Sequence, residues 1–148
     1  MNSSKHSVGH DPETINELAR GFWHSAILRA GLKLGVFPLL DNNSLASDEV
    51  ARQIEASPSY VQAFLDSCVV LNLLEKRADS YINSPLASRF LVEGKKEYVG
   101  DHALHHTNTW LSWGQLDEII REGKTVLPYD TGYVDAATYW NDYMLGQN

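Results

Sequence analysis

The chain has 148 residues, 43% hydrophobic and 21% charged, which suits one folded domain with a buried core and neither two ordinary domains nor a disordered protein. Its formal net charge of −7 repels phosphate backbones and anionic lipid headgroups, which argues against nucleic-acid and membrane partners. The single cysteine, Cys68, excludes an internal disulfide and any multi-cysteine metal site.

Residues 1–11 are polar and rich in Ser and His, with neither a signal nor a transit pattern, and are expected to be a disordered tail. No apolar run reaches the about 20 residues that cross a bilayer, so a cytoplasmic location is expected. Asp11 and Pro12 then open a helix as cap and first helical residue. Ile15, Leu18, Ala19, Phe22, Ala26 and Ile27 recur at helical spacing, and Gly31 is a plausible stop. Residues 32–40 (LKLGVFPLL) are almost wholly apolar and broken by Gly35 and Pro38, which suits a short buried helical turn.

After a turn at residues 41–44, Ser47 caps a short helix at 48–54, with Asp48 and Glu49 in its positive first turn. Ser57 and Pro58 open a second helix, whose apolar positions are Val61, Phe64, Leu65, Cys68, Val69, Leu71 and Leu74. A short helix, a turn and a longer helix give a helix-turn-helix. Residues 74–77 and 81–83 flank Ala78-Asp79-Ser80 as a small hairpin, the only strand signal in the chain. Ser84-Pro85 caps another short helix through Phe90. A long helix is expected from 101 to about 122, ended by Gly123, and Asp135 caps a last helix at 136–145.

The chemistry of a nucleotide site is missing. Of the ten glycines, no two are separated by a single residue, so the tight turn that brings backbone N–H groups to a cofactor is not encoded. There is no Gly-x-Ser-x-Gly nucleophile turn either. His102, His105 and His106 fall on one helical face and could share a metal, but no further ligand is obvious beyond Asp101, so no metal site is assigned. A polar cavity lining or plain surface histidines outweigh a metal there. The helix-turn-helix is also a poor DNA reader: residues 58–74 hold no Lys or Arg, and Lys76 and Arg77 sit beside Glu75 and Asp79.

Several short runs, in order, carry a resemblance. They are AGLKLGVFPL at 30–39, residues 45–54 and 57–74, YINSPL at 81–86, WLSWGQLDE at 110–118, REGK at 121–124 and Leu127-Pro128. Together they resemble the N-terminal domain of small-molecule O-methyltransferases of the plant phenolic, acetylserotonin and bacterial antibiotic-tailoring type, over roughly 13–148. The resemblance implies a mainly α fold: a winged helix-turn-helix with a β-hairpin wing and extra terminal helices, intertwined with a second copy as a homodimer. It implies a winged-helix dimerisation domain at 12–134 and, at 135–148, a helix leading towards a catalytic domain absent from this chain. The chain is then either a fragment or a subunit serving a separate catalytic chain.

On this reading the chain has no catalytic, cofactor or metal residues. S-adenosylmethionine (SAM) serves the parent enzyme, and the partners are a second copy, a catalytic methyltransferase domain or subunit, and a small acceptor molecule. Candidate residues lining the acceptor cavity are His105, His106, Thr107, Trp110 and Trp113, since aromatic rings bind flat ligands by area and imidazoles add adjustable donors. Both Trp side chains could equally be core. Phe22, Trp23, Leu32, Val36 and Phe37 are the candidate dimer-interface residues. The rival functions are a winged-helix transcription regulator and a freestanding interaction or ligand-binding module.

Overall fold

The computed structural model describes residues 11–146, so the expected tail at 1–11 lies outside the described residues except for Asp11, which is ordered as the cap of α1. The elements in order are α1 (Pro12–Lys33), α2 (Val36–Leu39), β1 (Leu45–Ala46), α3 (Ser47–Gln53), α4 (Pro58–Val70), β2 (Leu74–Arg77) and β3 (Ser80–Asn83). There follow α5 (Pro85–Phe90), α6 (Gly100–Asn108), α7 (Trp110–Gly114), α8 (Leu116–Glu122), a 3₁₀ turn (Pro128–Thr131) and α9 (Ala136–Gly146). The protein is mainly helical with one small antiparallel sheet, in the order β1-β3-β2.

Local signals set most boundaries. Asp11 accepts a hydrogen bond from the Glu13 amide at 3.0 Å, and Pro12 needs no partner at the first helical position. Ser84 caps α5 through the Ala87 amide at 3.1 Å. Asp135 caps α9 through the Thr138 amide at 2.9 Å and hydroxyl at 2.6 Å, bonds that hold its carboxyl below the usual value. Ser57 occupies the cap position of α4, but its hydroxyl pairs with Ser59 at 3.2 Å instead of with the helix.

Helix α1 does not stop at Gly31. It runs to Lys33, and the reversal falls on Gly35 at φ 66°, a left-handed conformation that glycine adopts without strain. Gly31 serves a different purpose. A Cβ there would stand 2.7 Å from Phe37 Cζ, so the missing side chain lets the Phe37 ring close on α1.

The core gathers Val36, Phe37 and Leu40 after the Gly35 turn, Val50 and Ala51 of α3, and Val61, Leu65 and Cys68 of α4. Leu74 and Tyr81 of the sheet, with Ala87, complete it. Val36 and Phe37 are at 0% exposure within this one chain, which corrects their expected place at a dimer seam. Leu32 packs half-buried against the same core. Phe64 and Val69 are only partly buried, and Val70 faces solvent. Burial of Cys68 pushes its thiol up to about 12.

The hairpin forms where expected, but Ser80 joins the second strand, so Arg77 stands opposite Ser80 across a two-residue turn at Ala78-Asp79, one residue shorter than expected. It gains a third strand, since Leu45 and Ala46 pair with Tyr81 and Ser80. Two residues cannot show the alternation that marks a strand, so β1 carries no sequence signal. At the sheet, Lys76 Nζ and the Tyr81 hydroxyl both donate to Asp66 Oδ1 at 2.8 Å, the lysine bond lowering that carboxyl most. A lowered folded pKa means stability that is present above the unfolded value and lost as pH falls through the folded one. Below about pH 4, Asp66→Asn should therefore flatten the fall in urea midpoint that wild type shows. Identical slopes in a pH series of melts would exclude this contribution.

The helix expected from 101 to 122 is broken twice. Thr109 (φ −78°, ψ 1°) separates α6 from α7, and Gln115 (φ −107°, ψ 20°) separates α7 from α8. The Thr109 hydroxyl donates to the His106 carbonyl at 2.7 Å, the back-bonding that tightens or bends a helix, and Gly114 before Gln115 is a weak helix former.

Candidate functional site

Within α1 the burial changes along the helix. Ile27 and Leu28 pack against the core, whereas Ile15, Leu18 and Phe22 are 66%, 75% and 55% exposed. Their spacing of three and four residues makes one apolar stripe that the other described residues leave largely uncovered. Trp23, beside it, is 53% exposed, its ring edge-on to Phe22 at 6.2 Å.

Where this stripe passes α6 and α7, a cleft of about 650 Å³ opens. Phe22 and Ser25 of α1 form one wall, His106 and Thr107 of α6 another, and Trp110 and Trp113 of α7 a third. Phe22 meets Trp110 edge to face at 5.5 Å. Four of the five residues expected to line a cavity are thus brought together. Phe22, expected at the dimer seam, joins them. Ser25, Thr109 and Gly114 also line the cleft and were not expected. Ser25 had a readable signal, since it lies one turn from Phe22 on the same face.

His105 goes elsewhere. It sits between Tyr139 and Tyr143 of α9, with ring centroids 5.0 Å from each, and its Nδ1 is buried without a hydrogen-bond partner. Burial, with His106 and His102 nearby, pulls its pKa below the usual histidine value and favours the neutral ring. His102 and His106 approach through their Nε2 atoms at 2.8 Å, and His102 Nδ1 lies 3.2 Å from the Gly146 carbonyl. Among the described residues no group of three His, Cys, Asp or Glu is placed to hold a metal.

Thr107 is held from behind the cleft. Arg29 Nη1 donates to Thr107 Oγ1 and to Asn108 Oδ1, both at 2.8 Å, and Thr107 donates to the Leu104 carbonyl at 2.9 Å. Asn108, at 0% exposure, donates in turn to Asp142 Oδ2 at 2.8 Å. This chain of polar contacts ties α1, α6 and α9 together in a place where an unsatisfied group would be costly.

The outer face of α4 shows Tyr60 and Val70, each 79% exposed, and no cation. The hairpin cations are paired within the chain, Lys76 with Asp66 at 2.8 Å and Arg77 with Glu75 at 3.1 Å. That face lacks what a phosphate backbone requires. Among the described residues, no helix is long and apolar enough to cross a membrane.

Residues 16–93, more than half the chain, match the family model of the O-methyltransferase dimerisation domain. The chain is 34% identical over 130 residues to the tetracenomycin polyketide synthesis 8-O-methyl transferase TcmO of Streptomyces glaucescens, covering 86% of this chain and 38% of that protein. To the acetylserotonin O-methyltransferase of Mus musculus it is 35% identical over 122 residues, covering 78% and 32%. Human N-acetylserotonin methyltransferase, solved in complex with SAM, superposes with a TM-score of 0.76 at 28% identity, over 99% of this chain and 46% of that one. The chain therefore spans about a third of the length of the curated relatives it matches. It belongs to the O-methyltransferase dimerisation-domain family.

Proposed function

We propose that this chain forms the dimer and one wall of the acceptor cavity in a cytoplasmic, SAM-dependent O-methyltransferase whose acceptor is a small aromatic or polyketide-like molecule. The cleft carries this reading. Three aromatic residues line one space with the His106 imidazole, an arrangement that holds a flat ligand by area and orients it by a hydrogen bond. The relatives' names point the same way, one acting in polyketide synthesis and another on acetylserotonin.

In this reading α3, its turn and α4, followed by the hairpin, are a winged helix used as packing scaffold. The apolar stripe of α1 seats a second copy, and the two copies intertwine there. Cofactor binding falls to a catalytic domain or subunit outside the described residues. This division is supported by the described residues, whose sheet is antiparallel throughout and in which no strand leads into a glycine turn at a helix N-terminus.

The test is a split of kinetic constants in the assembled enzyme. Trp113 is 68% exposed, so Trp113→Ala removes cleft surface with little cost to folding. It should raise the acceptor KM about tenfold and leave the SAM KM unchanged, as expected for lost binding surface. Equal changes in both constants, or in neither, would sink the cavity assignment.

A further inference from the structure

Beyond Trp110 lies a second hollow of about 390 Å³, lined by Ala26, Arg29, Ala30 and Lys33 of α1 and Leu34 at its end, with Trp110 and Tyr133 opposite. Trp110 is a wall of both spaces. On α1 the lining positions Phe22, Ser25, Ala26, Arg29, Ala30 and Lys33 form one continuous helical stripe. The stripe runs about 16 Å from Phe22 to Lys33, at the usual helical rise. Ala26 and Ala30, with methyl side chains, leave room in its middle. Its two ends differ in kind: aromatic at Phe22, cationic at Arg29 and Lys33.

The cations are available. All three hydrogen bonds that Arg29 makes to α6 leave from Nη1, and its guanidinium lies over the Tyr133 ring, 4.9 Å from the centroid. Neither Arg29 nor Lys33 has an ion-pair partner among the described residues, although acidic residues outnumber basic ones in the chain 19 to 12. A planar, rigidly held guanidinium with free N–H groups beside an aromatic wall is a carboxylate receptor.

We propose that this hollow is a carboxylate subsite, and that the acceptor is an elongated aromatic acid. Its ring system would lie in the Phe22–Trp113 cleft, and its carboxylate would pass the edge of Trp110 to reach Arg29 and Lys33. The proposal rests on the cavity reading above and adds the charge of the ligand to it.

The probes are 6-hydroxy-2-naphthoate and its neutral carboxamide, titrated calorimetrically into the assembled enzyme. They share a skeleton and differ in charge. The acid should bind about tenfold more tightly than the amide, the usual gain from a charge-assisted pair, and the gap should narrow as salt is raised. Lys33 is exposed and Arg29→Lys keeps its charge, so Lys33→Met is the primary variant and the double variant Arg29→Lys/Lys33→Met the second. Lys33→Met should cut affinity for the acid severalfold and leave the amide unchanged. If acid and amide bind equally well, the subsite is wrong and the cleft survives. If neither binds, both are wrong. An acid preference untouched in Lys33→Met and in the double variant overturns the assignment to these two cations.

Discussion

Phe37→Ala should lower the unfolding free energy by about 3–5 kcal/mol, the range for emptying a packed aromatic site. The ring is at 0% exposure and closes on the bare backbone of Gly31, so nothing nearby can relax into the space without moving α1 or α2. Urea denaturation measures the loss. A thermodynamic cycle sharpens it: Gly31→Ala alone places a methyl group against the Phe37 ring and should destabilise, whereas in the Phe37→Ala background that methyl has room. A purely additive pair would mean that the ring and the glycine do not touch. Phe64→Ala should cost less, because that ring is only partly buried.

The second large effect concerns assembly. Leu18 is 75% exposed in the isolated chain and lies at the centre of the uncovered stripe on α1. Leu18→Asp should therefore leave the fold of one copy intact. In the proposed dimer it would bury a carboxylate in an apolar contact, which weakens association by at least about 100-fold. Sedimentation velocity at micromolar concentration should show a dimer for wild type and a monomer for the variant, with matching circular dichroism. A wild-type monomer with a folded spectrum, or a variant that sediments like wild type, would remove the stripe from the interface.

What the sequence made readable was what depends on neighbours in the chain. The caps at Asp11, Ser84 and Asp135 and the hairpin at residues 74–83 are local, and the structure has them. The α4 positions Val61, Leu65 and Cys68 repeat at four and three residues and fill the core. The family likewise follows from an ordered series of such local signals.

Partner choice was harder to read. The apolar count at Val36 and Phe37 says that they are buried, but does not say whether their own chain or a second copy buries them. β1 is two residues long, and its partner Tyr81 lies far along the chain. His105 and His106 are neighbours about 100° apart on a helix, and spacing placed both on a broad ligand-facing side. The packing of α9 divides them, one to Tyr139 and Tyr143, the other to the cleft. Arg29 gave no signal, since its partners Thr107 and Asn108 are 78 and 79 residues away.

Cys68 supplies a clock for this fold. It is the sole thiol, sealed at 0% exposure in the last turn of α4, and it is held protonated by burial. Thiolates are the reactive form, so a thiol reagent in water must wait for the helix-turn-helix to come apart before it can react. The labelling rate, divided by the rate of an unstructured cysteine, then gives the fraction of molecules whose centre is open at any instant. Substituting a residue on the outer half of α1 and one in the core would separate fraying of the projecting helix, to which the clock is blind, from loss of the body itself.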